Sequence, residues 1–223
     1  MNIPLFFQAT SKLILGILII ALLLFISAGS FNYWNAWILI ALLFVPILIL
    51  GIIMSIKSPD LLKRRLEAKE KASSQKLVVS LSGLIFTIGF IVAGLDYRFN
   101  WTVLPNFVVI FSSIVFIISY ILYAEALREN RFLSRTIEIQ ENQEVVDTGL
   151  YGIIRHPMYT STIFLFLSVP LILGSAFSFI IFLAYPFLII KRIKYEEELL
   201  EKELNGYSEY KIRVKYRLIP FVW

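Results

Sequence analysis

Residues 158–190 are MYTSTIFLFLSVPLILGSAFSFIIFLAYPFLII, and this stretch contains no charged side chain. Pro170 and the pair Gly174-Ser175 interrupt it near the middle. A helix needs roughly 20 apolar residues to cross the hydrocarbon core of a membrane, and glycine and proline favour turns. The stretch therefore predicts two short hydrophobic helices that form a tight hairpin within a membrane.

Four further apolar runs precede this hairpin, at residues 13–28, 37–54, 77–95 and 107–126. The whole chain of 223 residues is 58% hydrophobic and 17% charged, whereas soluble domains are about 45–50% apolar and about 25% charged. These features predict an all-α integral membrane protein with about six hydrophobic helices, the last two forming the hairpin. We expect the first helix to be retained, because its apolar run is longer than that of a signal peptide.

The residue types that are missing or rare exclude several functions. The chain has no cysteine, which excludes disulfides, thiolate metal ligands and a cysteine nucleophile. Its single histidine excludes a metal centre built on a histidine pair, and we predict no metal site. The net charge is +5, but the hydrophobicity argues against a nucleic-acid-binding protein.

The distribution of charge predicts the orientation in the membrane. Residues 29–36 are uncharged, and residues 96–106 carry only Asp96 and Arg98. Most remaining charges lie in residues 57–76, 127–157 and 191–223, of which 57–76 is rich in lysine and arginine. Because basic loops stay on the cytoplasmic side, both termini are predicted to be cytoplasmic.

The chain divides into two predicted regions. Residues 1–126 hold four transmembrane helices and the basic segment 57–76, which we expect to lie along the inner headgroups. Residues 127–223 hold a polar connector, the hairpin and a cytoplasmic helical tail. Within the connector, residues 135–140 alternate polar and apolar side chains, as a short strand does. The tail is predicted to contain a final short helix from Tyr207 to about Tyr216.

Polar residues flank both ends of the hairpin. Arg155 and His156 come directly before Pro157, which suits the first turn of a helix. The returning helix brings Glu196 and Glu197 to the same membrane face. Taken singly, each residue also fits a headgroup anchor, a helix cap or a solvated helix face; their joint occurrence around an uncharged hairpin predicts a functional site.

The order and spacing of these residues resemble the isoprenylcysteine carboxyl methyltransferase family. The resemblance rests on Gly149-x-Tyr151-x-x-x-Arg155-His156-Pro157-x-Tyr159, then Arg192-Ile193-x-x-Glu196-Glu197, Tyr207-x-x-Tyr210 and Arg217-Leu218-Ile219-Pro220. Phospholipid N-methyltransferases share this outline. The resemblance implies a membrane-embedded methyltransferase that binds S-adenosylmethionine on the cytosolic side and takes a lipophilic or prenylated substrate from the bilayer.

The resemblance also assigns roles to residues. The residues expected to bind the cofactor are Gly149, Tyr151, His156, Pro157 and Tyr159. The residues expected to be catalytic are Arg155, which would hold a substrate carboxylate, and the pair Glu196 and Glu197. Ser161 replaces a glycine of the family pattern, and a short turn at 204–206 leaves Glu198 as an alternative member of the glutamate pair.

Several functional alternatives stay open at this point. A carboxylate acceptor needs no general base, whereas a lipid amine would need His156 or a glutamate to accept its proton. Sterol-type reductases that use a reduced nicotinamide cofactor carry a similar Arg-His-Pro-x-Tyr stretch, although they have more spanning helices. A non-catalytic lipid-binding membrane protein is a third alternative.

Overall fold

The structure, a computed structural model, describes residues 3–66, 73–134 and 136–223. Throughout these ranges the regular elements are helical, and five helices are long and apolar enough to cross a membrane, which confirms an all-α integral membrane protein. The helices are α1 (Ile3–Ala28), α2 (Trp34–Lys57), α3 (Pro59–Leu66), α4 (Ser73–Phe99), α5 (Asn106–Glu129), a 3-10 turn (Gly149–Gly152), α6 (Pro157–Ile172), α7 (Ala176–Phe182), α8 (Tyr185–Glu203) and α9 (Tyr207–Arg213).

The hairpin reaches the end of the bundle opposite to Pro157. The Tyr33 hydroxyl, in the loop after α1, donates to the carbonyl of Leu173 across 2.6 Å. Thr102, in the loop after α4, is 3.5 Å from the Gly174 carbonyl oxygen. Although α6 has only 16 residues, or about 24 Å at 1.5 Å per residue, both legs of the hairpin therefore run the length of the bundle.

The second leg of the hairpin differs from one continuous hydrophobic helix. It breaks between Phe182 and Tyr185, and α8 restarts with Pro186 in its first turn, where the missing proline N–H costs no hydrogen bond. From Lys191 onward α8 continues as a charged helix to Glu203. The second leg of the hairpin thus consists of α7 and the first part of α8.

A buried polar contact fixes the loop after α4 against the hairpin turn. The Asp96 carboxylate accepts the Thr102 N–H and hydroxyl, each at 2.7 Å, and the Ser175 hydroxyl at 2.5 Å. The apolar core lies beside this contact, where α1, α2, α4, α5 and the hairpin meet. Many large apolar side chains of α1, α2, α4 and α5 are exposed instead of buried, as expected for helices surrounded by lipid.

The strand predicted in the connector is wrong, whereas the short helix predicted from Tyr207 is present but ends earlier than expected. Residues 136–140 form no strand; Gln140 bonds instead to nearby connector groups, donating its side-chain amide to the Phe132 carbonyl. Arg135 and residues 67–72 of the basic segment lie outside the described residues. The final helix α9 ends at Arg213, because the chain after it is extended and turns its carbonyl groups toward Arg155.

Candidate functional site

The turn that enters α6 is held by the chain that follows α9. The N–H groups of Arg155 and His156 donate to the carbonyls of Tyr216 and Arg217, both at 2.9 Å. The Thr160 hydroxyl, one turn into α6, donates to the Leu218 carbonyl at 2.8 Å. The two segments that the sequence pattern singled out thus pair through their main chains, and this pairing fixes where the Arg155 and His156 side chains begin.

Glu197 joins these side chains in a buried cluster. Its Oε1 accepts a hydrogen bond from Arg155 Nε at 2.8 Å and lies 3.2 Å from His156 Nε2. Its Oε2 accepts from Arg217 Nε at 2.8 Å. The Arg155 and Glu197 side chains are each only 4% exposed. Because two guanidinium groups donate to it, the Glu197 carboxylate is held in its ionised form.

Arg155 has partners that the sequence analysis did not foresee. Besides its bond to Glu197, its NH1 donates to the carbonyls of Val214 at 2.6 Å and Lys215 at 2.9 Å. These bonds use the donors that a bidentate grip on a substrate carboxylate would need. The geometry therefore supports Arg155 as the residue that joins α6, α8 and the chain after α9.

Glu196 has a different environment from its neighbour. Its carboxylate accepts a hydrogen bond from the Tyr159 hydroxyl, and Arg192 Nε donates to that same hydroxyl at 3.1 Å. Arg192 NH1 also lies 3.4 Å from Gln75 Oε1 on α4. Glu198 is exposed, so the two glutamates that face the predicted residues are Glu196 and Glu197.

A cavity, here named the connector cavity, opens between residues 130–134 and 136–146 of the connector and helices α6, α8 and α9. Gly149, Pro157 and Glu197 lie outside its lining, although Glu197 contacts Arg155 and His156 behind it. The sequence-predicted residues that line it are Tyr151, Arg155, His156, Tyr159 and Glu196.

Gly149 shapes the connector without lining the cavity. Its φ is +52°, and a Cβ at this position would overlap the Glu129 carboxylate. That carboxylate accepts the N–H of Leu150 at 2.8 Å. Glycine thus permits both the left-handed backbone and the close approach to α5, and its contact with a cofactor stays a prediction.

Three buried tyrosines close the inner side of the connector cavity. The Tyr210 hydroxyl donates to the Tyr151 carbonyl at 2.8 Å. Burial raises the pKa of Tyr151, Tyr207 and Tyr210, so their hydroxyls stay protonated at neutral pH. The Tyr207 hydroxyl is buried and has no hydrogen-bond partner within residues 3–66, 73–134 and 136–223.

A second opening, here named the α4–α8 groove, lies on the lipid-facing side. Its walls are mainly apolar side chains of α4, α6 and α8, such as Val79, Phe166 and Ile189. The groove and the connector cavity share four lining residues, which form a partition between them: Ser134, Met158, Tyr159 and Arg192.

Arg65 connects the interfacial helix α3 to this partition. Its guanidinium donates to the Ser134 carbonyl at 3.3 Å and to the Tyr123 hydroxyl. Arg65 also lines the α4–α8 groove. Neither Arg65 nor Arg192 was predicted as a site residue. The available sequence signal for Arg192 was its position four residues before Glu196; no sequence signal indicated Arg65.

Part of the chain matches a known protein family. A family model described as phospholipid methyltransferase matches residues 107–205. The matched range includes α5, the connector, the hairpin and the two glutamates, but ends before α9 and Arg217. The match supports a membrane methyltransferase related to the family that the sequence pattern resembles, without supporting isoprenylcysteine as the acceptor. A comparison with curated proteins gave no match.

Proposed function

We propose that this protein is an S-adenosylmethionine-dependent methyltransferase that acts on a lipid drawn from the bilayer. The observation that carries the proposal is the partition: Tyr159 and Arg192 line both a polar cavity and a lipid-facing apolar groove. Methyl transfer from a water-soluble donor to a membrane lipid requires two such spaces that meet at one place. The family match over residues 107–205 supports the same reaction.

The connector cavity has the chemistry to bind the donor. S-adenosylmethionine supplies an electrophilic methyl group and carries an ammonium, a carboxylate, hydroxyls and an adenine ring. Glu196 lines the cavity and can accept hydrogen bonds from the ammonium or hydroxyls of the donor. Tyr151 and His156 add aromatic surface to the wall.

The fold contributes orientation more than bond-making chemistry. Glu197 fixes Arg155, His156 and Arg217 in one rigid unit at the base of the site. Two reactants held in a reactive geometry can gain about 7–11 kcal/mol over free encounter in solution. The buried ion-pair cluster thus serves to keep the turn before α6, and therefore the partition, in a fixed position.

For the acceptor, we propose a lipid amine ahead of a carboxylate. The family match is to phospholipid methyltransferases, and the Arg155 donors expected to bind a carboxylate are already bonded to Glu197, Val214 and Lys215. Methylation of an isoprenylcysteine-like carboxylate is the second candidate, because Arg192 is a cation that lines the groove.

The test combines binding and product analysis on the full chain in lipid nanodiscs. Calorimetric titration is expected to show binding of S-adenosylmethionine, with reduced nicotinamide cofactor as the comparison for a reductase. Incubation with methyl-labelled donor and total lipid extract, followed by mass analysis, then identifies the methylated lipid. Binding of neither cofactor would overturn the proposal and favour a non-catalytic lipid-binding protein.

A further inference from the structure

We infer that Tyr159 and Glu196 form a proton path that deprotonates an amine acceptor, an inference that rests on the proposed function. The two adjacent glutamates have contrasting partners. Glu197 accepts from the guanidinium groups of Arg155 and Arg217, whereas Glu196 accepts from the neutral hydroxyl of Tyr159. A carboxylate paired with two cations is a weak base, which leaves Glu196 as the better proton acceptor.

The position of Tyr159 places this path across the partition. Tyr159 lines both the α4–α8 groove and the connector cavity, whereas Glu196 lines the connector cavity alone. The Tyr159 oxygen accepts one hydrogen bond from Arg192 and donates its proton to Glu196. A hydroxyl oxygen has a second acceptor position, which an ammonium in the groove can fill.

Arg192 promotes the same step by its charge. A positive group beside an ammonium disfavours the protonated form and lowers its pKa. Arg192 is buried and bonded to the hydroxyl that would receive the proton, so an ammonium bound there lies close to it. The geometry thus combines a cation that destabilises the protonated amine with a carboxylate that takes up the proton.

In the inferred reaction, proton transfer from the acceptor precedes methyl transfer. An N–H bond of the lipid ammonium breaks and its proton moves to the Tyr159 oxygen, while the Tyr159 proton moves to Glu196. The neutral nitrogen then forms a bond to the methyl carbon of the sulfonium donor as the carbon–sulfur bond breaks. The products are a methylated ammonium and a neutral thioether, and Glu196 later releases its proton through the connector cavity.

The test compares Tyr159→Phe and Glu196→Gln with the wild type, using vesicles that contain an ethanolamine-headgroup lipid. Glu203→Gln is the matched control, because Glu203 is exposed on the same helix and the substitution removes the same charge. At pH 7 and saturating donor, both site variants are expected to lower kcat at least about tenfold, because a general base contributes about 10²–10⁴-fold to a rate. Calorimetry measures donor binding separately for each variant.

Chemical rescue distinguishes a proton path from a structural effect. A lipid with an aminooxy headgroup has a nitrogen that is neutral at pH 7, so it needs no base. With this acceptor both site variants are expected to methylate within about threefold of the wild-type rate, and with ethanolamine lipid their rates should rise steeply toward alkaline pH. Loss of activity that neither the neutral acceptor nor high pH restores would overturn the inference.

Two other outcomes would also overturn it, and they separate it from the proposed function. Methyl transfer confined to carboxylate lipids would remove the need for a base and leave the methyltransferase proposal intact. Unchanged amine methylation in both variants would likewise leave that proposal intact. Only a failure of the wild type to bind S-adenosylmethionine would overturn both.

Discussion

Arg217 Nε donates to Glu197 Oε2 across 2.8 Å, which ties the chain after α9 to the middle of α8. The same segment accepts the main-chain N–H groups of Arg155 and His156. The buried cluster is therefore assembled from three parts of the sequence, and the last of them lies outside the matched family range, which ends at residue 205.

Replacing Arg217 by alanine is expected to destabilise the fold. The substitution leaves one oxygen of a buried carboxylate without its charged donor, at a cost of about 1.5–3 kcal/mol. Arg213→Ala is the control: it breaks an ion pair with Asp147 whose side chains are 63% and 40% exposed, and such pairs contribute about 0–1 kcal/mol. Thermal unfolding in detergent compares the two, and equal losses would contradict the role of Arg217.

Glu197→Gln is expected to be far more harmful than Glu198→Gln, because Glu197 neutralises the buried guanidinium of Arg155 and the partly buried one of Arg217, whereas Glu198 is exposed. Breaking a buried ion pair from one side costs about 3–5 kcal/mol, whereas a surface change costs within about 0.5 kcal/mol. Chemical unfolding measures stability, and methyl transfer by the folded fraction measures activity. A larger effect at Glu198 would indicate that the functional pair is Glu197 and Glu198 instead of Glu196 and Glu197.

Gly149→Ala is expected to cost at least about 1–2 kcal/mol, since alanine is strained at positive φ and its Cβ would overlap the Glu129 carboxylate. Removing that carboxylate in the double variant Gly149→Ala/Glu129→Ala relieves the overlap but not the backbone strain. A double-mutant cycle on unfolding free energies should therefore show coupling. Gly51→Ala is the control, because nothing lies within 4 Å of a Cβ there.

Asp96→Ala is expected to lower stability without changing donor binding. Asp96 joins the loop after α4 to the hairpin turn through Thr102 and Ser175, at the opposite end of the bundle from Glu197. Loss of these buried hydrogen bonds costs about 1–3 kcal/mol. A lower unfolding temperature with unchanged calorimetric affinity for S-adenosylmethionine is the expected result, and weaker binding at equal folded fraction would contradict it.

The membrane architecture was largely predictable because its signal is local in the sequence. Apolar runs define α1, α2, α4 and α5, and Pro170 with Gly174 marks the hairpin. The strand predicted at residues 135–140 was wrong because strand formation depends on contacts that are not local in the sequence. Alternation of side chains cannot produce a strand without a neighbour to pair with, and the connector bonds to itself instead.

The sequence predicted that Arg155, His156 and Glu197 lie close together, but it did not predict which contacts each side chain makes. Arg155, His156 and Glu197 do meet, as the hairpin implied. The carbonyl partners of Arg155 belong to Val214 and Lys215, and main-chain acceptors leave no trace in a sequence pattern. The separation of Glu196 from Glu197 depends on which face of α8 each occupies and on Tyr159, so only three-dimensional contacts reveal it.

The α4–α8 groove opens sideways between helices whose outer surfaces are apolar. For the proposed reaction, an acceptor that reaches Tyr159 through this opening diffuses in two dimensions and is never released into water. Its turnover should then follow the mole fraction of acceptor among the surrounding lipids, and diluting the vesicles in buffer should leave the rate per enzyme unchanged.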